Sequence, residues 1–391
     1  MRFNLRHLRV LLAVVDTHSV TRAAELCHVS QPAVTQALSK IEAMVGEVLF
    51  TRSPHGLFAN SLCDVLARRV RRALNFLDPA FEEVAPRLKV TATFSQLEAL
   101  IAVRERENYT LAARRMGVSQ PTVHRAVSQL EREAGRPLFE RTAYGTMATR
   151  AAQVLAQAAR LALAELSQAE ADLADHRSEE AGRLVIGSMP LSRSYILPTA
   201  IARFRQQRPR LPIQVVEGAY GELLAGLRRG EIDFLIGALR DPPPIGDVEQ
   251  SVLFYDTVVI VAGHHHPLVG RDRIPVEELA AYPWVVSTVG TPIRLHFEAL
   301  FNDSGCDLPV SIVESGSLIL MRELLDRSDH LGFISGGQAR AEIDRSLVTA
   351  LNVDLAHTRR PIGLTRRMGW LPTAAQSLFL DHLEALSGDA A

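Results

Sequence analysis

The amino-acid sequence contains one internal repeat, whose two copies lie 89 residues apart in the N-terminal part of the chain. Residues 8 to 52 align without a gap on residues 97 to 141, with 19 identities in 45 positions. The longest identical run is Val29-Ser30-Gln31-Pro32, which returns as Val118-Ser119-Gln120-Pro121. Chance does not give such a match, so the segment was duplicated, and we expect both copies to form the same small fold.

Each copy has the pattern of three helices. In the first copy, four apolar residues at helical spacing predict a first helix with one apolar face: Leu8, Leu11, Leu12 and Val15. Thr21 is predicted to cap a short second helix that faces inward through Ala23, Ala24 and Leu26. Alanines there allow the next helix to cross closely, as a helix-turn-helix pair requires.

The third helix of the first copy is predicted to begin at Ser30, a capping residue, with Pro32 tolerated in its first turn. Its buried stripe comprises Val34, Ala37, Leu38 and Ile41, which leaves Gln31, Thr35, Gln36 and Ser39 pointing outward. The second copy keeps the stripe as Val123, Ala126, Val127 and Leu130, and its outer face carries Gln120, His124, Arg125 and Ser128. Gln can bond bidentately to adenine, and helix N-termini favour phosphate, so these faces suit the major groove of DNA. The alternative is the ordinary polar face of a surface helix.

A short polar segment with a glycine follows each third helix, at residues 52–60 and 141–149. Such a segment suits a β-wing on the phosphate backbone, with Arg52 and Arg141 as candidate phosphate contacts. The alternative is a plain connecting loop. The predicted DNA-binding residues are therefore Ser30, Gln31, Pro32, Thr35, Gln36 and Arg52, with Ser119, Gln120, Pro121, His124, Arg125 and Arg141.

The charge distribution is consistent with a nucleic-acid-binding N-terminal part. Residues 1–150 carry 21 Lys and Arg against 14 Asp and Glu, whereas residues 151–391 carry 22 against 30. Uneven surface charge without a function is the alternative. The three cysteines are far apart and have no CxxC spacing, which is typical of isolated thiols in a reducing cytoplasm. No signal peptide or membrane span is recognisable, so a cytoplasmic protein without membrane association is expected.

These residues form the pattern L-x-x-L…AA-x-x-L-x-V-S-Q-P-x-V…L/I-E…G…LF-x-R, which occurs in both copies and resembles the winged helix-turn-helix of LysR-type transcriptional regulators. From about Gly182 onward the chain resembles the effector-binding domain of the same family. Two departures stand out. Thr35 and His124 replace a usual serine in the recognition helix, and His55 and Tyr144 replace a usual basic residue before the wing glycine. Base preference therefore does not carry over from the family.

The resemblance implies a multidomain chain with two all-α winged helix-turn-helix domains and an α/β, two-lobed, periplasmic-binding-protein-like effector domain. The expected domains are residues 1–61 and 91–149 for the two modules, 62–90 for a connector helix, 150–181 for a long linker helix, and 182–391 for the effector domain. The linker helix has an apolar stripe that needs a partner. The resemblance implies pairing with the equivalent helix of a second subunit. Whether the first connector, Leu62 to Val84, dimerises or packs within the chain is left open.

From Gly182 onward, short β-branched strands alternate with helices, which indicates an α/β domain with parallel strands. Ligands of such sheets bind at the carboxyl ends of strands, near helix N-termini. Three loops there predict an effector site of hydroxyls and cations: Ser188, Ser192, Arg193 and Ser194; Ser287, Thr288, Thr291 and Arg294; and Ser315 with Ser317. A carboxylate or sugar-like effector is expected. The alternative is that these residues merely cap their helices.

No residue pattern predicts a metal, a cofactor or an enzyme active site. Adjacent side chains of His264-His265-His266 point to opposite faces of an extended chain, so we interpret this run as a solvated turn. The predicted function is a transcriptional regulator that binds double-stranded DNA and a small-molecule effector as a homodimer or homotetramer, with RNA polymerase as a further candidate partner. The alternative is a solute-binding protein without a regulatory role.

Overall fold

A computed structural model describes residues 3–143 and 145–388 of the chain. Its internal contacts divide the chain into two compact units, Met1–Gly182 and Arg183–Ala391. Tyr144, which the sequence places before the second wing glycine, lies outside the described residues. In the part of the chain that the structure describes, no helix combines the length and apolar character needed to cross a membrane.

The first unit consists of helices and two short antiparallel hairpins. Its elements are α1 (Leu5–Thr17), α2 (Val20–Leu26), α3 (Gln31–Val45), β1 (Phe50–Ser53), β2 (Gly56–Ala59), α4 (Ser61–Val84), α5 (Leu88–Thr91), α6 (Phe94–Arg106), α7 (Tyr109–Met116), α8 (Gln120–Ala134), β3 (Phe139–Thr142), β4 (Gly145–Ala148) and α9 (Arg150–His176). β1 pairs with β2 and β3 pairs with β4. The order of three helices, a hairpin and a long helix therefore occurs twice.

The same hydrogen bonds hold each hairpin to its helices in both copies. His18, in the left-handed conformation at the end of α1, accepts the backbone N–H of Leu57 at 2.9 Å. Glu107, at the end of α6, accepts that of Thr146 at 3.1 Å. His18 and Glu107 are 89 positions apart, and so are Leu57 and Thr146. The repeat therefore extends to the backbone contacts that set the position of each hairpin.

Two details of the second helix differ from the sequence prediction. Ser19, not Thr21, is the N-cap of α2, and its Oγ accepts the N–H of Arg22 at 3.3 Å. Leu26 is 63% exposed, whereas Ala23 and Ala24 are buried. The prediction for Leu26 was wrong because α2 has only seven residues and buries only the side that contacts α1 and α3.

The two long helices, α4 and α9, pack against each other within the chain. The first connector, which the sequence left open, therefore packs internally. The apolar stripe of α9 packs against α4 of the same chain. One apolar core has members between Phe3 and Leu173 and includes residues of both helices.

The second unit has two five-stranded sheets with helices around them. Its elements are β5 (Leu184–Ser188), a 3-10 helix (Pro190–Arg193), α10 (Ile196–Gln207), β6 (Ile213–Glu217), α11 (Tyr220–Arg228), β7 (Phe234–Ala238), β8 (Val248–Asp256), β9 (Val258–Ala262), α12 (Val276–Leu279), β10 (Trp284–Val286), α13 (Pro292–Asp303), β11 (Ile312–Glu314), α14 (Leu318–Arg327), β12 (Leu331–Ser335), α15 (Gly336–Ile343), β13 (Thr349–Ala350), a second 3-10 helix (Ala356–Thr358), β14 (Arg360–Arg367) and α16 (Ala374–Gly388).

The first sheet has the order β6-β5-β7-β14-β8, and the second has the order β11-β10-β12-β9-β13. The prediction of parallel strands is correct for β5 with β6 and β7, and for β10 with β11 and β12. It is wrong for β9, which pairs antiparallel with β12 and β13. Strands β8 and β14, for which no direction was predicted, also pair antiparallel. The reason is the topology: the chain leaves the first sheet at the end of β8, builds the second, and returns as β14.

The histidine run is only partly solvated, so its interpretation as a solvated turn was wrong for one member. His266 is 3% exposed, its ring packs on Tyr282 with centroids 4.5 Å apart, and its Nδ1 accepts the N–H of Leu268. His264 instead contacts the carbonyl oxygen of Ser346 and the hydroxyl of Thr349. The side chains thus go to different partners.

Candidate nucleic-acid interface and effector cleft

The exposed face of α3 and its N-cap carry the residues that the sequence assigns to DNA contact in the first copy, except Arg52, which lies in β1. Ser30 caps the helix, and its Oγ accepts the N–H of Ala33 at 3.4 Å. The side chains of Gln31, Thr35 and Gln36 are exposed, while the predicted apolar stripe faces the core. The Oγ1 of Thr35 donates to the carbonyl of Gln31 at 3.3 Å. The first two turns therefore present polar groups to solvent at a capped helix N-terminus.

The exposed face of α8 is the equivalent surface of the second copy, and its chemistry differs. Gln120, His124 and Arg125 are exposed, so this face adds a cation where the first copy has Gln36. The His124 ring lies 5.3 Å from that of Tyr109, centroid to centroid. Burial raises the pKa of that tyrosine to about 12, so its hydroxyl stays protonated at neutral pH.

Both predicted wings are β-hairpins. Arg52 in β1 and Arg141 in β3 are exposed and 89 residues apart. In each copy a glutamate on the third helix anchors the start of the hairpin. The Oε1 of Glu42 accepts the N–H of Leu49 at 2.9 Å, and that of Glu131 accepts the N–H of Leu138 at 2.8 Å. The hairpin is thereby tied to the helix whose face it would flank on DNA.

The two sheets of the second unit define its two lobes, the first with β6-β5-β7-β14-β8 and the second with β11-β10-β12-β9-β13. In the first lobe, the predicted effector residues follow β5. Ser188 and Ser192 are fully buried, with their Oγ atoms 2.9 Å apart. Ser192 also donates to the carbonyl of Met189 at 2.8 Å. Arg193 forms an ion pair with Glu217, and Ser194 is partly exposed. The hydroxyls of Ser188 and Ser192 already have hydrogen-bond partners. They therefore stabilise the loop from within and are not free to bind a ligand.

In the second lobe, the predicted residues lie on two adjacent loops, because β10 and β11 are parallel neighbours. Thr288 is exposed, and Ser287 and Ser315 are partly exposed. Thr291 caps α13 and Ser317 caps α14. For these two residues the structure agrees with the alternative interpretation, in which they cap their helices. Arg294 is buried and donates to Glu298 at 2.7 Å and to Glu314 at 3.1 Å. Its charge is therefore neutralised within the lobe.

Arg360, which the sequence analysis did not identify, lies where the chain crosses between the lobes. It is the first residue of β14, and its register partner is Asp256, the last residue of β8. Its side chain is 9% exposed, and its Nη2 lies 3.6 Å from Oδ2 of Asp256. None of its three nitrogens has a hydrogen-bond partner among the described residues. No sequence signal distinguished it from its neighbour Arg359.

The surroundings of Arg360 connect the two lobes. Asp256 accepts the hydroxyl of Ser335 at 2.5 Å and the N–H of Gly337 at 3.0 Å, which holds the start of α15. α15 in turn packs against the 3-10 helix that carries Ser192. Burial, and the nearby charge of Arg360, lower the pKa of His296 on α13. A buried cation with free donors thus lies at the junction between the lobes.

A helical unit with exposed helix faces, joined to an α/β unit of two five-stranded sheets, is typical of ligand-responsive transcriptional regulators. Comparison with known proteins agrees. Residues 177–387 match the LysR substrate binding domain, and residues 5–61 and 94–153 match the bacterial regulatory helix-turn-helix protein of the lysR family. The chain belongs to the LysR family of transcriptional regulators. This membership excludes the alternative of a solute-binding protein without a regulatory role, and family members bind DNA and form oligomers.

Two relatives illustrate the similarity. The chain is 33% identical over 380 residues to the HTH-type transcriptional regulator GalR of Pseudomonas putida, covering 95% of this chain and 94% of that protein. It is 31% identical over 275 residues to the uncharacterized HTH-type transcriptional regulator YdcI of Escherichia coli, covering 70% of this chain and 88% of that protein. The crystal structure of CbnR, a LysR family transcriptional regulator, shares the fold with a TM-score of 0.53 at 20% identity, covering 75% of this chain and 99% of CbnR.

Proposed function

We propose that this regulator reads DNA through two tandem winged helix-turn-helix modules, with α3 and α8 as recognition helices. The observation that carries the proposal is the equivalence of the two copies. Each has a serine before its recognition helix, an exposed glutamine in the first turn, and an exposed arginine on a hairpin tied back by a glutamate. Neither copy has lost the features that place a helix in the major groove.

Two further facts support this arrangement. The helix-turn-helix family matches the chain in two segments, one in each copy. The alignment with GalR covers 95% of this chain and 94% of GalR, which leaves too little of either protein unaligned to omit a whole copy. Because Thr35 and Gln36 correspond to His124 and Arg125, the two modules present different donors and acceptors. We therefore expect two non-identical half-sites.

Replacing Gln31 and Gln120 together by Ala tests the recognition-helix assignment. Both side chains are exposed in the first turn, so folding should be unaffected, while each lost bidentate contact is worth about 1–3 kcal/mol of base discrimination. The double variant should keep its non-specific affinity and lose at least tenfold in specific affinity. Gln129→Ala is the matched control, because it lies nine positions after Gln120, on the opposite side of α8. Unchanged specific binding of the double variant would refute the assignment.

For the effector, the structure favours an anion bound between the lobes. Arg360 is buried, its donors are free among the described residues, and Asp256 lies too far for a hydrogen bond. A buried cation without hydrogen bonds is costly, and a carboxylate oxygen would supply them. The hydroxyls of Ser287, Thr288 and Ser315 would meet the rest of the ligand. Ser188, Ser192, Arg193, Ser194, Thr291, Arg294 and Ser317 then support the loops of the site.

The variant Arg360→Gln tests this site, with Arg359→Gln as its control. Arg359 is exposed, and its guanidinium lies 4.3 Å from the centre of the Tyr255 ring. Acetate, succinate, benzoate and uncharged glucose serve as probes in thermal unfolding. We expect at least one carboxylate to raise the unfolding temperature of the wild type and of Arg359→Gln, but not that of Arg360→Gln. A response to glucose alone, or an equal response of Arg360→Gln, would contradict an anionic effector.

A further inference from the structure

The long helices α4 and α9 are the two repeat copies of one element. They begin at Ser61 and Arg150, 89 residues apart, each after a side-chain cap, and they pack against each other. The packing is antiparallel: Arg69 of α4 contacts Gln168 of α9, whereas Arg72, one turn later, contacts Glu165. Two copies of one element in an antiparallel pair have the arrangement expected of a dimer interface, here within one chain.

The rest of the first unit follows the same internal symmetry. The segments that begin α1 and α6, Phe3–Arg6 and their repeat counterparts Ala92–Ser95, line one recess of about 650 Å³ together with residues of α9. Arg71 pairs with Asp16 in the first copy, and Arg160 pairs with Glu105 in the second. These partners are again 89 residues apart. Both copies therefore attach to their long helix in the same way.

One network of polar contacts between α4 and α9 breaks the symmetry. Arg69 is 1% exposed, and its Nη1 donates to Glu165 at 3.1 Å and to Gln168 at 2.9 Å, while its Nε donates to Asp172 at 2.8 Å. Arg72 adds a second cation 2.8 Å from the other oxygen of Glu165. Glu165 is itself buried. In these contacts the cations come from α4 and the carboxylates come from α9.

The repeat shows what α9 would meet in a symmetric pair with another α9. At the positions of Arg69 and Arg72, the second copy has Ala158 and Leu161. In the same register, Glu165 and Asp172 would lie against these apolar side chains without a cation. Breaking a buried ion pair by removing one partner is strongly unfavourable, because the remaining charge is left desolvated. The sequence of α9 thus favours α4 as its partner over a second α9.

We propose that α9 is committed to α4 of its own chain, so that one chain forms an internal pseudodimer presenting both recognition helices to one two-part DNA site. This rests on the proposed function of α3 and α8. Arg69 is the positioning residue: it touches no DNA, but it fixes the pairing that sets the separation of the two modules. The pseudodimer binds a DNA duplex with two half-sites, and a single chain occupies both of them.

Cross-linking tests the pairing without reference to DNA. The full-length double variant Arg72→Cys/Glu165→Cys, which keeps Arg69, Gln168 and Asp172, is treated with a short bismaleimide and run on a denaturing gel. We expect a band at the mass of one chain that contains the linked α4 and α9 peptides. Glu165→Cys alone should give no covalent dimer through residue 165. A dimer band linked between these positions, from either variant, would overturn the proposal.

A second experiment tests whether Arg69 affects DNA binding. Arg69→Glu should lower the affinity for a two-half-site probe at least tenfold, whereas Arg68→Glu, an exposed neighbour on the same helix, should not. Arg69→Lys, which keeps the charge, should recover part of the loss. If Arg69→Glu bound as tightly as wild type, the positioning role would be excluded. If the Gln31 and Gln120 variants did not affect DNA binding, the assignment of α3 and α8 as recognition helices would be refuted. The cross-link between α4 and α9 would still form in that case.

Discussion

Arg69 of α4, which is 1% exposed, donates a hydrogen bond from its Nε to Oδ2 of the half-buried Asp172 on α9, at 2.8 Å. Burial raises the pKa of Asp172, and the hydrogen bond and charge of Arg69 counteract that rise. The contact joins two repeat copies of one helix through residues that the copies do not share. It therefore distinguishes this pairing of helices from a symmetric one.

Arg69→Met should destabilise the helical unit strongly, because it removes the buried cation between Glu165 and Asp172 and leaves only Arg72 beside Glu165. Breaking such a pair costs about 3–5 kcal/mol. The control Arg71→Met removes an ion pair with Asp16 whose side chains are 47% and 57% exposed, which is worth at most about 1 kcal/mol. Denaturant unfolding followed by far-ultraviolet circular dichroism measures both. Equal losses would show that the Arg69 network adds no more than a surface pair.

Gly56→Ala should damage the first hairpin more than Gly145→Ala damages the second. Both glycines have positive φ, at 140° and 131°, so any side chain is strained there. A Cβ at residue 56 would also lie 2.4 Å from the carbonyl oxygen of His18, which accepts the N–H of Leu57. The corresponding distance at residue 145, to the oxygen of Glu107, is 3.3 Å. DNA affinity and unfolding free energy should both fall further for Gly56→Ala, and the reverse order would contradict this geometry.

Arg52→Gln and Arg141→Gln should each weaken binding to all DNA sequences by a similar factor. In the proposed function these exposed arginines contact phosphates rather than bases, so their loss should leave sequence preference unchanged. Each should reduce the slope of log affinity against log salt by about one. Titrations at several salt concentrations, on specific and unrelated duplexes, measure the slope. An unchanged slope would show that the hairpins do not touch the backbone.

Cys63 should be the last of the three cysteines to react with iodoacetamide. It is fully buried in α4, and burial raises its pKa to about 12, so almost no thiolate forms at pH 8. Cys27 and Cys306 are only partly buried. The same shift predicts that stability falls as pH rises from about 9 towards 12, because only the unfolded chain loses this proton in that interval. Early modification of Cys63 in the native protein would show that α4 is not packed as described.

Local patterns predicted the N-terminal copies well, because residues close in sequence determine them. The stripe of Val34, Ala37, Leu38 and Ile41 is buried, and the Gln31 face is exposed. The exposure of Leu26 was not predictable, since it depends on which neighbours a short helix has. The antiparallel strands β8 and β14 were also missed as such, because their direction depends on how the chain crosses between two sheets.

The contacts that carry the two proposals are long-range, so no local sequence pattern predicted them. Arg69 reaches Asp172 across 103 positions, and Arg360 faces Asp256 across two crossing segments. Each looked like an ordinary surface arginine in a basic stretch. Conversely, Ser192 was a reasonable candidate for effector contact from its place after β5, but the structure encloses it against Ser188.

The central claim, that both modules read DNA, is tested most directly by base-resolution footprinting of the full-length protein and its variants Gln31→Ala and Gln120→Ala on one target duplex. The account predicts two protected half-sites of different sequence, with the first variant losing protection at one half-site and the second at the other. If Gln31→Ala left the whole footprint unchanged while Gln120→Ala altered it, a single module would read DNA, and the account would be contradicted.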